Sequence, residues 1–147
     1  MELSGLKLSD IHPSQFYISL EKLRQVEKWF RSDDLSHFEP VPVKCLNGRI
    51  IFTDGHTRAF AAYRKGLAKI PLVWDEDELD WEAYQLCTDA CSSRGIHTIS
   101  DLQDRVVDAD VYQHLWNDWC DTLHEILALR RSRPSLYSDY NGNGDES

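Results

Sequence analysis

The chain has 147 residues, 28% of them charged and 41% hydrophobic, with 16 Lys+Arg against 25 Asp+Glu for a net charge of −9. That is one domain's worth of sequence, with five Trp, six Tyr and five Phe to fill a core, and a mean hydropathy of −0.50 without a long apolar run excludes a membrane-spanning helix. Taken whole, the acidic balance also excludes a non-specific nucleic-acid binder, because phosphate backbones are held mainly by Lys and Arg.

The charge falls into three blocks. Residues 1–74 hold 11 basic and 8 acidic side chains (net +3), residues 75–125 hold 2 and 14 (net −12), and residues 126–147 hold 3 and 3. The first block is mildly basic and can meet an anion. In it, Leu6-Lys7-Leu8 reads as a short strand, and Ser19 caps a helix with apolar positions Leu20, Leu23, Val26 and Phe30 at a near-helical period. Val41–Cys45 and Arg49–Thr53 read as strands joined by Leu46-Asn47-Gly48, since Asn-Gly supplies the positive φ of a tight hairpin. Pro42 puts the first of these strands at an edge or near its own start. A helix from about His56 to Lys65 is stopped by Gly66, and Ile70–Trp74 returns to strand.

The second block reads as all helix. Asp80 caps a helix through Trp81, Tyr84, Leu86, Cys87 and Cys91, and Ser100 with Gln103 forms a capping box for a short one. Asp108 or Asp110 opens the longest, whose apolar face carries Tyr112, Leu115, Trp116, Trp119, Leu123, Ile126 and Leu127. Pro134 ends it, and the polar, Gly/Ser/Asn-rich tail after it is expected to be disordered. The expected fold class is α+β: a small mixed sheet with helices over residues 1–75, then an acidic helical cap over 76–131. That cap would pack on the sheet through Trp81, Tyr84, Trp116 and Trp119, and would suit a basic protein partner.

Chemistry concentrates in Thr53-Asp54-Gly55-His56-Thr57-Arg58. A strand that ends in Gly and runs at once into a helix exposes unpaired amides that, with the helix dipole, attract an anion. Arg58 can take two phosphate oxygens, His56 and Thr57 add donors, and Asp54 can hold a Mg²⁺ ion that bridges phosphates. The alternative is a plain glycine turn with Asp54 or Thr57 as cap and Arg58 on the surface.

The stretch IIFTDGHTRAFAAYRKGLAKIPLVW resembles the ParB N-terminal and sulfiredoxin superfamily, in which a strand, a Gly-x-x-Arg turn, a helix, a Gly stop and an I-P-V strand recur in that order. Leu6–Pro13 and the helix from Ser19 to Phe30 resemble its opening elements, so the likeness spans roughly residues 5–75. ParB proteins hold nucleotide phosphates with this box, which implies a nucleotide (ATP, ADP or CTP) with Mg²⁺ at Gly55, His56, Thr57 and Arg58. Sulfiredoxins carry a cysteine where His56 stands, which excludes their activity. The Asp-Gly-His-x-Arg form of the box resembles free-serine kinases and so implies a phosphotransferase, with Asp54 in the box and Gln15, or Glu21 beyond it, in place of that family's catalytic glutamate. The acidic second block is unlike the DNA-binding part of ParB proteins, and DNA is not an expected partner. A cytoplasmic location is expected, since nothing in Met1–Gly5 resembles a signal peptide.

Cys87 and Cys91 are spaced i, i+4 on one predicted helix and Cys120 and His124 on another, which would suit a tetrahedral zinc if the two helices packed antiparallel. Each cysteine also lies by an apolar face, where Cys is a small buried hydrophobe. Cys45 reads as interior packing. His12, His37, His97 and His114 have no partner at useful spacing.

Overall fold

The structure is a computed structural model and describes residues 2–132. Its elements are β1 (Ile18–Ser19), α1 (Leu20–Trp29), β2 (Val41–Leu46), β3 (Arg49–Phe52), α2 (His56–Arg64), β4 (Leu72–Trp74), α3 (Trp81–Ser93), β5 (Val106–Val107), α4 (Ala109–Tyr112) and α5 (Asp118–Arg131). The fold is α+β, as the sequence implies. Local signals account for most of it. Ser19 Oγ accepts from Lys22 N, Asp80 from Ala83 N and Asp108 from Val111 N, so three helices begin at the expected caps. Asn47 and Gly48 take positive φ in the β2–β3 hairpin, and Gly66 does so one residue beyond the C-cap of α2.

The main sheet runs β3-β2-β4, with β2 antiparallel to β3 and parallel to β4. β2 is therefore central, and Pro42 is tolerated because it stands second in its strand. Val41, Val43 and Phe52 turn inward to meet Phe60 and the three alanines of α2, with Phe16, Ile18 and Leu23 from the N-terminal segment. Cys91, Ile96, Ile99 and Leu102 from the acidic block belong to that same core.

Several expectations are corrected. Residues 6–8 form no strand; short 3₁₀ turns occupy Leu3–Gly5 and Leu8–Asp10, and the extended contact falls at His12, bridged in parallel to Ile51. The acidic block is not all helix, because Val106 and Val107 pair in parallel with Ile18 and Ser19. The capping box near residue 100 is built by Thr98 and Asp101 rather than Ser100 and Gln103, and it opens a 3₁₀ turn over Ile99–Leu102. Between α4 and α5, Gln113–Asn117 form a π-helical turn. Cys45 is exposed, because it pairs with Ile50 at the hairpin end, beyond the inward-facing Val41 and Val43. Trp81 and Tyr84 do face the sheet, through Lys44 and the Thr53 carbonyl. Trp116 and Trp119 instead stack on each other and set their edges against the Phe16 ring, 5.0 Å from each. Pro134 and the polar tail lie outside the described residues, within which no helix is long and apolar enough to cross a membrane.

Candidate anion-binding cleft

β3, which flanks the central strand β2, ends at Phe52, the chain turns through Thr53, Asp54 and Gly55, and α2 starts at once. Gly55 is the N-cap in the left-handed region (φ 73°) and offers no side-chain cap. Its own N–H is taken by Asp54 Oδ1 at 2.8 Å, and Ala59 N bonds back to the Gly55 carbonyl. The amides of His56, Thr57 and Arg58 are left with no acceptor among the described residues, which is the open end of a helix dipole. The positive φ favours glycine here, and a Cβ on residue 55 would also meet Arg58 Nη2 at 2.8 Å and Val41 Cγ1 at 3.0 Å, so that the guanidinium would have to shift.

This helix end forms one wall of a cleft of about 340 Å³. The opposite wall is α1, through Lys22, Gln25, Val26 and Trp29, which share a face at i, i+3, i+4 and i+7. Gln15 and Tyr112 close one side. Six of the residues anticipated from sequence thus converge: Gln15, Asp54, Gly55, His56, Thr57 and Arg58. Glu21 does not line the cleft; it is exposed one residue away from Lys22, on another side of α1.

The side chains have more constrained roles than the sequence implies. Arg58 Nη1 donates to the Glu39 and Pro40 carbonyls at 2.7 and 3.2 Å, and its pairing with Glu39 is loose at 3.6 Å. Half of its guanidinium is thus spent on tying the approach to β2, and Nη2 lies over Gly55. His56 is buried, and its Nε2 accepts the Ser14 N–H at 3.0 Å. An N–H can only donate, so the ring is neutral with its proton on Nδ1, and burial lowers its pKa to about 4. His56 therefore adds no positive charge; its Nδ1–H has no partner among the described residues. Gln15 Nε2 donates to the Tyr17 carbonyl and the Tyr112 hydroxyl, which fixes the amide with Oε1 as its free atom. Burial, with smaller contributions from nearby thiol and carboxylate charge, pushes the Tyr112 phenol up to about 12.

Lys22 is the cleft residue that sequence reading missed. Its Nζ stands 5.3 Å from the Tyr112 ring centroid, a cation held over an aromatic face at the cleft. Its signal was the i, i+3, i+4, i+7 set on α1, which says that four side chains share a face but not what that face meets.

Asp54 offers one free carboxylate oxygen. A Mg²⁺ ion takes one or two protein carboxylates and completes its shell with phosphate and water, so this residue fits such an ion as a single ligand. Among the described residues, no group of three or more His, Cys, Asp or Glu could enclose a metal. Cys87, Cys91, Cys120 and His124 are thus not brought together as the sequence spacing would allow. Burial lifts the thiols to about 12, 12 and 11 in that order, so they stay protonated and pack as apolar groups. His12, by contrast, has two partners that sequence spacing could not show: Nδ1 donates to the Pro13 carbonyl at 2.7 Å, and Nε2 accepts from Ser92 Oγ at 3.1 Å. It ties the N-terminal segment to the end of α3. No family model, curated protein or solved structure matches the chain.

Proposed function

We propose that the chain is a ParB- and sulfiredoxin-like module, cytoplasmic in location, that binds a small phosphorylated ligand, with a nucleotide and Mg²⁺ as the best candidates. The observation that carries this is the open N-terminus of α2 facing Lys22 across a cleft that Arg58 and the unpartnered His56 N–H also line. Phosphate oxygens would take the amides of residues 56–58 and the Thr57 hydroxyl, with Lys22 Nζ as counter-charge. Asp54 disfavours a bare phosphate at that point, and a Mg²⁺ ion on its carboxylate would turn that repulsion into a bridge. The order of β3, the Gly55 turn, α2, Gly66 and β4 agrees with the resemblance.

Binding is favoured over phosphoryl transfer. Gln15 cannot take up a proton, Glu21 faces away, and Asp54 would have to serve as metal ligand and base at once. Isothermal titration with ATP, ADP, CTP and inorganic phosphate, each with and without Mg²⁺, tests the reading. We expect a nucleotide to bind only with Mg²⁺, and Lys22→Ala to weaken it about tenfold, the value of one charge-assisted hydrogen bond. No heat with any of the four, or an unchanged affinity in Lys22→Ala, overturns it.

A further inference from the structure

Six large apolar side chains stand exposed among the described residues, and four of them lie on the run from α4 to α5: Val111 (37%), Leu115 (43%), Ile126 (55%) and Leu129 (59%). With the exposed Thr122 between them they recur at helical spacing, so they form one stripe, turned about a quarter-turn from the line Tyr112, Trp116, Leu123, Leu127 that faces the core. The π-helical turn at Gln113–Asn117 falls inside this stripe; such turns are rare and concentrate at functional positions. From Asp108 to Leu129 the sequence holds five carboxylates (Asp108, Asp110, Asp118, Asp121 and Glu125) and no Lys or Arg. Asp110, Asp118 and Glu125 follow the stripe along one edge.

We propose that this face seats an amphipathic helix of a partner protein, with an apolar seam and Lys or Arg along one edge. A helical stripe reaching about 27 Å, two apolar pairs joined through Thr122, matches another helix of about five turns, and the row of carboxylates selects cations at the flank. A second copy of this chain would set those carboxylates against their own kind. Residues 133–147 hold one Arg and three acids, so the chain's own tail lacks the complementary charge. This reading is independent of the anion cleft.

The probe is a fluorescein-labelled model peptide of about eighteen residues, with leucines on one face and lysines beside them, read by anisotropy against the full chain. Its controls are a scrambled peptide of the same composition and an analogue with glutamates for the lysines. The lysine helix should bind at least about tenfold tighter than the scramble, and Ile126→Ser with Leu129→Ser should remove at least that factor. Asp118→Lys with Glu125→Lys should reverse the preference toward the glutamate helix, a switch that a misfolded variant would not produce. Equal binding of the scramble, or none, overturns the proposal. So does a dimer in sedimentation equilibrium that the apolar double variant dissolves, or a tenfold gain on removing residues 133–147, since either would name another occupant.

Discussion

His56 shows how far a residue's chemistry depends on contacts the sequence cannot display. Beside Gly55 and Arg58 it reads as a phosphate donor, yet Ser14, 42 positions away, supplies an N–H that makes it an acceptor. Arg58 is similar: its carbonyl partners at Glu39 and Pro40 sit in an irregular segment that carries no pattern. The burial of His56 sets a pH dependence. Its pKa is about 4 folded against 6.5 for the free group, so above 6.5 both states are neutral and stability is full. As the pH falls from 6.5 toward 4, the unfolded chain gains a proton that the folded one refuses, and stability is lost across that window. Between about pH 7.5 and about pH 4.5 the loss from this group is about 2.5 kcal/mol. His12, lowered mainly by its own burial, acts in the same direction. His56→Gln keeps an acceptor for Ser14 without titrating, so urea unfolding at the two pH values should show a shallower loss than wild type by about that amount. Equal slopes would mean that His56 does not carry the effect.

At the scale of elements, what was legible was what is local. A cap bond spans three residues, and Ser19, Asp80 and Asp108 each stand where the sequence puts them. The Asn-Gly hairpin and the Gly stop of α2 are equally local. The pairing of Val106–Val107 with Ile18–Ser19 joins segments some 88 positions apart, and nothing in two β-branched residues among acids announces it. Likewise the wall that α1 gives the cleft depends on how α1 packs on α2. Asp80 joins both kinds of information. It caps α3 through Ala83 N, and it also takes two hydrogen bonds from Arg131 at the end of α5, while Arg130 and Arg131 both reach Glu82. Exposed ion pairs of this sort contribute little in water, whereas a lost cap costs about 1 kcal/mol. Asp80→Asn keeps a good cap and should unfold close to wild type, and Asp80→Ala should be destabilised by about 1 kcal/mol in urea titration. If the two variants are equally destabilised, the Arg131 link rather than the cap secures this corner.

For the whole molecule, charge and packing divide the chain differently. The sign of the charge changes near Trp74, which invites a boundary there, and the helices after it do present an acidic surface. Packing ignores that boundary. Cys91, Ile96, Ile99 and Leu102 are buried in the core that holds Phe16, Ile18 and Phe60, β1 has β5 as its only strand partner among the described residues, and Arg105 Nε donates to the Phe16 carbonyl at 2.6 Å. Cutting at residue 75 would expose the faces of Phe16 and Phe60 that these side chains cover and leave β1 unpaired. At about 25 cal/mol per Å² of apolar surface, or about 1.5–3 kcal/mol for each large side chain uncovered, exposing several such residues costs an amount comparable with the 5–15 kcal/mol that typically separates folded from unfolded chains. Residues 1–75 produced alone should therefore lack a folded far-UV spectrum and dispersed amide signals. The full chain should unfold in one step, with tryptophan fluorescence and circular dichroism giving coincident transitions. A folded 1–75 fragment would make the acidic helices an appendage; two separated transitions would give each block its own core. A single transition would mean that the cleft owes its rigidity to the acidic helices, whose Tyr112 forms part of its wall, and that ligand bound there stabilises both blocks together.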